Sequence, residues 1–422
     1  MSTRLLFITS CNFSQSEANG HTLESLFSYC EKKDIAQFYV RESKPDFGFC
    51  NQYFHVSDRD MVRCFWSCSG GAVKEPSVRK TPLIPQKRRK DAFVLIARNL
   101  LWKASPWKRK TRFYDWVNSF KPECLVAMIG ENWFVMDIVL DLHRRLGIPI
   151  LFFNTEGYYF SSKNYFERAN FLGKIAYPIY RMLYRKNFSK LMSETSYVMY
   201  LCKKLQDDYG KQFPVPSRVI YTPSKNTTIP EYCSKRTGKD IVISYIGTLG
   251  YGRHKTLINL GEELYRRKQD VFINIYGKCS DEIASLFRES MGIKYHGLIP
   301  FSEVGGKIED SDILLHAEGF EPKCREMLRY GFSTKIADSL MSGRCFVLVA
   351  PNDVACYEYI NENIPGSAAS SIQEAGDIIE RLIDDVDYRI DLACKGRELA
   401  FRNHNPAIVG KTVQDIVNSI VK

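Results

Sequence analysis

Short apolar runs alternate with amphipathic segments along the whole of this 422-residue chain. The runs are rich in Val, Ile and Phe and too short for buried helices, so they predict strands. The segments between them carry apolar residues at helical spacing, as in "WFVMDIVLDLHRRLG". Strands that alternate regularly with helices are typical of parallel sheets covered by helices on both faces. The pattern therefore predicts an α/β protein with doubly wound, Rossmann-like parallel sheets.

The chain is too long for one hydrophobic core, and its composition changes near the middle. Thr222 to Asp240 contains two prolines, many Ser, Thr and Lys residues and few apolar ones, which is typical of a linker. We expect two domains facing a cleft. The predicted division is an N-terminal domain over residues 1–222, a linker over 223–240, a C-terminal domain over 241–400, and a last helix over 401–422 that packs back on the N-terminal domain.

Composition argues against several classes of protein. No apolar stretch reaches the length of about 20 residues that a membrane-spanning helix needs, and the first residues do not resemble a signal peptide. The 13 cysteines are scattered; Cys64 and Cys68 lie close together, but no second pair or nearby His completes a zinc site. We therefore expect reduced thiols in a cytoplasmic protein.

The positive charge is concentrated in one segment. The formal net charge is +11, and Lys80 to Arg112 alone holds eleven Lys or Arg residues against one acid, Asp91. Large apolar residues, including Trp102 and Trp107, lie between the cations. This mixture predicts a contact with an anionic membrane surface. Two alternatives stay open: a core-facing helix with solvated ends, and direct binding of an acidic polysaccharide. Because the charge is local, we do not expect nucleic-acid binding.

Ligands of doubly wound sheets bind where strands end and loops enter helices. One such loop is "GTLGYGRHKTL", in which Gly247 and Gly250 precede Arg253 and Lys255 at the predicted start of a helix. Glycines allow close approach of the backbone, and two cations at a helix N-terminus suit a diphosphate. The spacing matches neither the dinucleotide fingerprint nor the P-loop. A flexible loop with solvated charges is the alternative.

A second feature is a lysine at the wrong end of a predicted helix. Ser333 and Thr334 are good capping residues, so Lys335 falls in the first turn, where the helix dipole disfavours a cation. Asp338 follows three residues later, and an ordinary surface ion pair is the alternative explanation. Upstream, the polar stretch that starts at His316 predicts a long functional loop.

In this order and spacing, these segments resemble the donor domain of GT-B glycosyltransferases, in the family-4-like branch (glycosyl transferases group 1). The resemblance covers about residues 241–351, and it covers the N-terminal half only by architecture. The segments that carry it are "YIGTLGYGRHKTL", "FINIYGKC", "YHGLIPFSEV", "DILLHAEGF" and "GFSTKIADSLMSGRCFVLVAP". The resemblance implies a GT-B fold with an N-terminal acceptor domain and a C-terminal nucleotide-sugar domain.

The resemblance also implies roles for single residues. The family's ribose-binding acid lies five residues before a glycine, which identifies Asp338 before Gly343, and Lys335 would then face the donor's phosphates. Tyr330 replaces the first of the family's two glutamates, and Glu318 would supply that acid. The implied donor-binding set is Gly247, Gly250, Leu298, Thr334, Lys335 and Asp338, and the implied catalytic set is Arg253, Lys255 and Glu318. The acceptor candidates are Gly20, His21 and Glu156.

The implied reaction transfers a sugar from a nucleotide-diphosphate sugar to an acceptor hydroxyl, with retention and without a metal, since no Asp-x-Asp motif is placed to bind one. The implied acceptor is lipid-linked or a polysaccharide in bacterial surface glycan synthesis (capsule, O-antigen or lipopolysaccharide), and the enzyme would be peripheral on the inner face of the plasma membrane. Two alternatives remain. One is a nucleotide-sugar epimerase of the same fold, and the other is a non-catalytic relative that acts as a binding or assembly partner.

Overall fold

The computed structural model describes residues 3–14, 18–75, 91–161, 171–224, 226–230, 232, 236–268 and 270–421. The chain divides into two compact units. Unit 1 comprises Met1–Ile220 together with Gly410–Lys422, and unit 2 comprises Tyr221–Val409. Thr222 to Asp240, predicted to be a linker, therefore falls within unit 2. Within the described ranges, none of the helices combines the length and the apolar character that a membrane crossing would require.

Unit 1 is built on one sheet of eight strands in the order β4-β3-β2-β1-β5-β6-β7-β8 across the part of the chain that is described. The strands are β1 (Leu5–Thr9), β2 (Ile35–Tyr39), β3 (Gln52–His55), β4 (Gly71–Val73), β5 (Cys124–Met128), β6 (Ile150–Asn154), β7 (Tyr197–Tyr200) and β8 (Ser217–Val219). All pairs are parallel except β3 with β4. Since β1, β2, β5 and β6 are buried along their whole length, the apolar runs form the centre of the sheet.

Helices connect these strands, as the alternation predicts. They are α1 (Ala18–Leu26), α2 (Asp58–Arg63), α3 (Ala92–Ala104), α4 (Trp107–Lys110), α5 (Phe113–Phe120), α6 (Trp133–Leu146), α7 (Phe171–Glu194) and α8 (Lys203–Gly210). The chain leaves β1 to form β2 on one side and later returns to form β5 on the other. The carboxyl ends of β1 and β5 therefore mark the switch point of the sheet, where ligands of such sheets bind.

Unit 2 carries a parallel sheet in the order β11-β10-β9-β12-β13-β14 among the described residues. Its strands are β9 (Ile243–Ile246), β10 (Ile273–Tyr276), β11 (Ile293–Gly297), β12 (Ile313–Ala317), β13 (Cys345–Val349) and β14 (Ala368–Ala369). Its helices are α9 (Arg253–Arg267), α10 (Asp281–Glu289), α11 (Phe301–Asp310), α12 (Pro322–Leu328), α13 (Thr334–Met341), α14 (Ala355–Asn363), α15 (Ile372–Asp384) and α16 (Val386–His404), and α17 (Pro406–Ile420) follows. Here the switch point lies between β9 and β12.

Two local predictions were wrong. The polar stretch after β12, predicted as one long loop, contains α12, which begins at Pro322 because proline suits the first turn of a helix. His316, placed in that loop by the prediction, is the fourth residue of the buried strand β12. The described cysteines are all free in the structure, and their reduced state in the cell stays a prediction.

Candidate functional site

The loops after β9 and β12 meet at the switch point of unit 2. The chain turns from β9 into α9 through Tyr251 and Gly252, whose φ angles of 56° and 76° lie in the left-handed region. A Cβ atom on Gly319, in the loop after β12, would lie 2.2 Å from the carbonyl oxygen of Tyr251. The two loops therefore touch backbone to backbone, which requires glycine at position 319.

A buried ion pair joins these two loops. Arg253 Nε and Nη2 donate to the two carboxylate oxygens of Glu318 at 2.8 and 2.9 Å. Only 8% of Arg253 and 3% of Glu318 are exposed to solvent. A third donor of the guanidinium, Nη1, reaches Thr248 Oγ1 at 2.7 Å. The two predicted catalytic residues are thus bonded to each other in a planar, bidentate arrangement that orients both side chains.

His316 completes this network from inside the sheet. Its Nε2 lies 3.0 Å from Glu318 Oε1, and burial lowers the pKa of the imidazole, so the neutral ring donates to the carboxylate. Burial alone would raise the pKa of Glu318, but the bonds from His316 and the charge of Arg253 lower it to about 2. Glu318 is therefore ionised at neutral pH, with its oxygens occupied by protein donors.

Lys335 lies beside this network, in the first turn of α13. A Cβ atom at Gly247 would lie 2.6 Å from Lys335 Nζ, so the absence of a side chain at Gly247 makes room for the lysine. Burial and the nearby charge of Arg253 lower the pKa of Lys335 to about 8. Within the described ranges, the ammonium has neither a hydrogen bond nor an ion pair. A cation at a helix N-terminus without a protein counter-ion favours an anionic ligand.

Asp338 lies one turn further along α13 and is bonded to a residue that the sequence did not indicate. Ser224 Oγ donates to Asp338 Oδ1 at 2.7 Å, and Ser224 N donates to the carbonyl of His404 at 2.9 Å. The alternative of an ion pair between Lys335 and Asp338 finds no support among the described side chains. Thr334 is the first residue of α13, behind the N-cap Ser333, whose hydroxyl accepts from Lys335 N.

Three predicted residues lie outside this cluster. Lys255, in the first turn of α9, forms an exposed ion pair with Glu321. At Gly250 an added Cβ would meet no heavy atom within 4 Å. Leu298, just after β11, is largely exposed. The cluster at the switch point therefore consists of Gly247, Arg253, Glu318 and Lys335, with Asp338 further along α13 and bonded to Ser224.

In unit 1, the carboxyl edge of the sheet holds buried polar atoms without a hydrogen-bond partner. They are Ser10 Oγ after β1, Asn132 Oδ1 after β5 and Asn154 Nδ2 at the end of β6. Because these three strands are adjacent in the sheet, the groups follow neighbouring strand ends. Asn154 begins the segment that contains the acceptor candidate Glu156, whereas Ser10 and Asn132 were not predicted, although both lie at or just after the end of a predicted central strand.

The acceptor candidates predicted for unit 1 have local roles in the structure. Gly20 allows α1 to lie against the preceding loop, since an added Cβ would be 2.5 Å from the carbonyl oxygen of Asn12. His21 Nδ1 lies 3.2 Å from Ser25 Oγ within α1. Glu156 N donates to Asn154 Oδ1 at 3.3 Å, which connects it to the buried polar edge.

A metal site is not apparent in the described part of either unit, since no three His, Cys, Asp or Glu side chains there group closely enough to hold an ion. Independence of a metal remains a prediction.

No protein-family model matches the chain, and no curated protein sequence matches it significantly. Solved structures do match over its whole length. HepE from Anabaena in complex with UDP aligns with a TM-score of 0.63 at 12% identity, covering 99% of this chain and 100% of HepE. Sucrose-phosphate synthase from Thermosynechococcus elongatus aligns with 0.60 at 10% identity and 99% coverage of both chains. A glycosyltransferase from Rickettsia africae aligns with 0.60 at 12% identity and full coverage of both. The chain therefore has the predicted GT-B fold.

Proposed function

We propose that this chain is a glycosyltransferase that transfers a sugar from a nucleoside-diphosphate sugar, with the nucleotide bound at the switch point of unit 2. The observation that carries the proposal is Lys335, a partly buried cation at a helix N-terminus that lies over Gly247 and forms no ion pair among the described residues. A diphosphate supplies the missing negative charge. Structures of HepE that contain UDP or UDP-glucose support the same ligand class.

Breaking the bond between the sugar and the diphosphate places negative charge on the leaving group. Lys335 and the N-terminus of α13 stabilise that charge in the proposed reaction. Lys255 is proposed to leave its ion pair with Glu321 and to contact the same phosphates. This change costs little, because an exposed ion pair is weak. Asp338, oriented by Ser224, would accept hydrogen bonds from the ribose hydroxyls.

Arg253 and Glu318 have a different proposed role from the one the resemblance implied. Because the two side chains are bonded to each other, they hold the two loops together. The charge of Arg253 also lowers the pKa of Lys335. We propose them as positioning residues for the phosphate site. Retention of the anomeric configuration and turnover without a metal complete the proposal, on the basis of the resemblance to family 4.

The acceptor is proposed to bind at the carboxyl edge of the sheet in unit 1. Hydroxyl and amide groups suit the hydroxyls of a sugar, and Ser10 Oγ, Asn132 Oδ1 and Asn154 Nδ2 are buried atoms without a hydrogen-bond partner. We propose a lipid-linked or polysaccharide acceptor of bacterial surface glycan synthesis, in keeping with the same resemblance.

The decisive experiment incubates the protein with a panel of UDP-, GDP-, ADP- and dTDP-sugars, with and without glycan acceptors. Release of nucleoside diphosphate that depends on the acceptor supports the transferase. Isomerised nucleotide sugar without an acceptor would instead identify an epimerase.

One observation favours the non-catalytic alternative. Glu318, the residue implied to replace the missing acid, is fully engaged by Arg253 and His316. Binding of a nucleotide sugar with no turnover across the panel would support that alternative and contradict the transferase.

A further inference from the structure

Helix α7 of unit 1 exposes a row of large apolar side chains. Phe171, Ile175, Ile179 and Met182 follow one another at intervals of three or four residues, so they lie on one face of the helix. The exposed fractions are 76% for Phe171 and 61% for Met182. The opposite face of α7 is buried and includes the aromatic residues Tyr180 and Tyr184. We call the four exposed residues the α7 ridge.

Helix α3 packs against α7 and also exposes large apolar side chains. The two helices begin side by side, because a Cβ atom at Gly173 in α7 would lie 2.2 Å from the carboxylate of Asp91, the N-cap of α3. On α3, Leu95 and Trp102 are buried. Its exposed large apolar residues are Phe93, Val94, Leu100 and Leu101. The predicted core-facing helix is therefore correct for one face of α3 only.

The charged residues of α7 itself, up to Glu194, are all basic, whereas Arg98 of α3 is paired with Asp58 of α2. The exposed face of α7 continues through Lys174, Lys186 and Lys190, and α3 carries the exposed Lys103. Neither helix contains an acidic residue before Glu194 at the end of α7. Exposed apolar residues beside exposed lysines, as on α7, are typical of a helix that lies in the interface of an anionic bilayer.

We infer that α7, together with α3, binds the surface of an anionic lipid bilayer. The ridge would enter the acyl boundary, while the lysines contact the lipid phosphates. A second copy of the chain is a poorer occupant of this face, since it would bring lysines against lysines. Of the basic segment Lys80 to Arg112, predicted to touch a membrane, residues 80–90 lie outside the described residues, and the rest contains α3.

The test is flotation of the full-length protein with vesicles of phosphatidylcholine alone or with 30% phosphatidylglycerol. We expect binding to the anionic vesicles that weakens as salt is raised. Ile175→Gln with Ile179→Gln should lower the partition coefficient by at least about 10-fold, since two large apolar side chains no longer leave water. Lys174→Gln, Lys186→Gln and Lys190→Gln should each lower it by about five-fold.

Matched controls exist in unit 2. Leu286→Gln with Met291→Gln removes side chains exposed to 49% and 53%, close to the 55% and 49% of Ile175 and Ile179. Lys239→Gln with Lys278→Gln removes two exposed charges of unit 2. Both controls should bind vesicles like the wild type.

Failure of the wild type to float with anionic vesicles at low salt would overturn the inference. So would equal losses in the α7 variants and the unit 2 controls. A dimer in solution that the Ile175 and Ile179 substitutions dissociate, with no vesicle binding, would identify the face as a self-association surface instead. Because none of these measurements uses a nucleotide, their outcome is independent of the proposed transferase activity.

Discussion

Arg253 and Glu318, 65 positions apart in the sequence, form a bidentate ion pair inside unit 2, with donor–acceptor distances of 2.8 and 2.9 Å. The pair joins the loops that follow β9 and β12, the two strands of the switch point. It also places a buried positive charge near Lys335, whose pKa it helps to lower. We therefore expect the stability of unit 2 and the proposed affinity for a nucleotide to depend on the same pair.

Glu318→Gln should destabilise the protein by about 3–5 kcal/mol, because it leaves the Arg253 charge buried without a counter-ion. Denaturant unfolding of the wild type and the variant measures the difference. Glu321→Gln, which breaks the exposed pair with Lys255, is the control and should leave the midpoint nearly unchanged. Equal effects of the two substitutions would show that the buried pair does not stabilise the fold.

The contribution of Glu318 should also depend on pH. Its pKa is about 2 in the folded protein against 4.5 for the free side chain. A group whose pKa is lowered by folding stabilises the protein above its unfolded pKa, and that contribution is lost as the pH falls from 4.5 towards 2. The stability difference between the wild type and Glu318→Gln should therefore shrink over this window. A difference that stays constant down to pH 3 would contradict the assignment.

Nucleotide affinity should fall as the pH rises past about 8, the pKa of Lys335 in the folded protein. A diphosphate binds the charged form of the lysine better. Above this pH most of the lysine is neutral, so UDP binding must first protonate it, which lowers the observed affinity. Lys335→Arg keeps its charge throughout this range and should give a flatter profile. Calorimetry with UDP between pH 7 and 9 compares the two, and parallel profiles would exclude Lys335 from the phosphate site.

Asp338→Ala should weaken UDP binding by about 1.5–3 kcal/mol, the range for a hydrogen bond to a charged group. Ser224→Ala should have a smaller effect in the same direction, since it removes only the bond that orients Asp338. Ser244→Ala, which breaks the buried bond between Ser244 and Ser311, is a control in the same unit. Unchanged affinity of a folded Asp338→Ala variant would remove Asp338 from the site.

Gly247→Ala should reduce UDP affinity while the protein stays folded. The added methyl group would lie 2.6 Å from Lys335 Nζ, and the flexible lysine can move away from it. Gly250→Ala is a matched control in the same loop, because its Cβ would meet no heavy atom within 4 Å. If both variants bind UDP like the wild type, the position of Lys335 over Gly247 does not contribute to UDP binding, and the prediction is wrong.

Turnover should survive EDTA, because Lys255, Lys335 and helix dipoles carry the charge on the leaving diphosphate in the proposed reaction. Lys255→Ala should lower kcat more than donor affinity, since that charge is greatest in the transition state. Loss of activity on chelation, with recovery on adding Mg²⁺ or Mn²⁺, would contradict the metal-independent reaction.

The sequence by itself determined the local structure and the fold class. Apolar runs such as Cys345–Val349 become buried strands, and Pro406 separates α16 from α17 as a proline inside a helical pattern predicts. The glycine loop after β9 and the capping residues Ser333 and Thr334 also follow from local chemistry, because turns and helix ends are governed by nearby residues. The short strands β3, β4 and β14 were not predicted, because two to four residues show too little pattern to be recognised.

Only the tertiary structure decided which side chains meet. Ser224 and Asp338 are 114 positions apart, and no local pattern connects a serine in an apparent linker with an acid on α13. The same holds for Arg253 with Glu318, since their contact depends on β12 pairing with β9. The apolar row of α7 looks like a core-facing stripe in the sequence, and its exposure follows from which face of the helix packs on unit 1. Periodicity and capping are local properties, whereas partners and exposure depend on strand order and packing across the whole sheet.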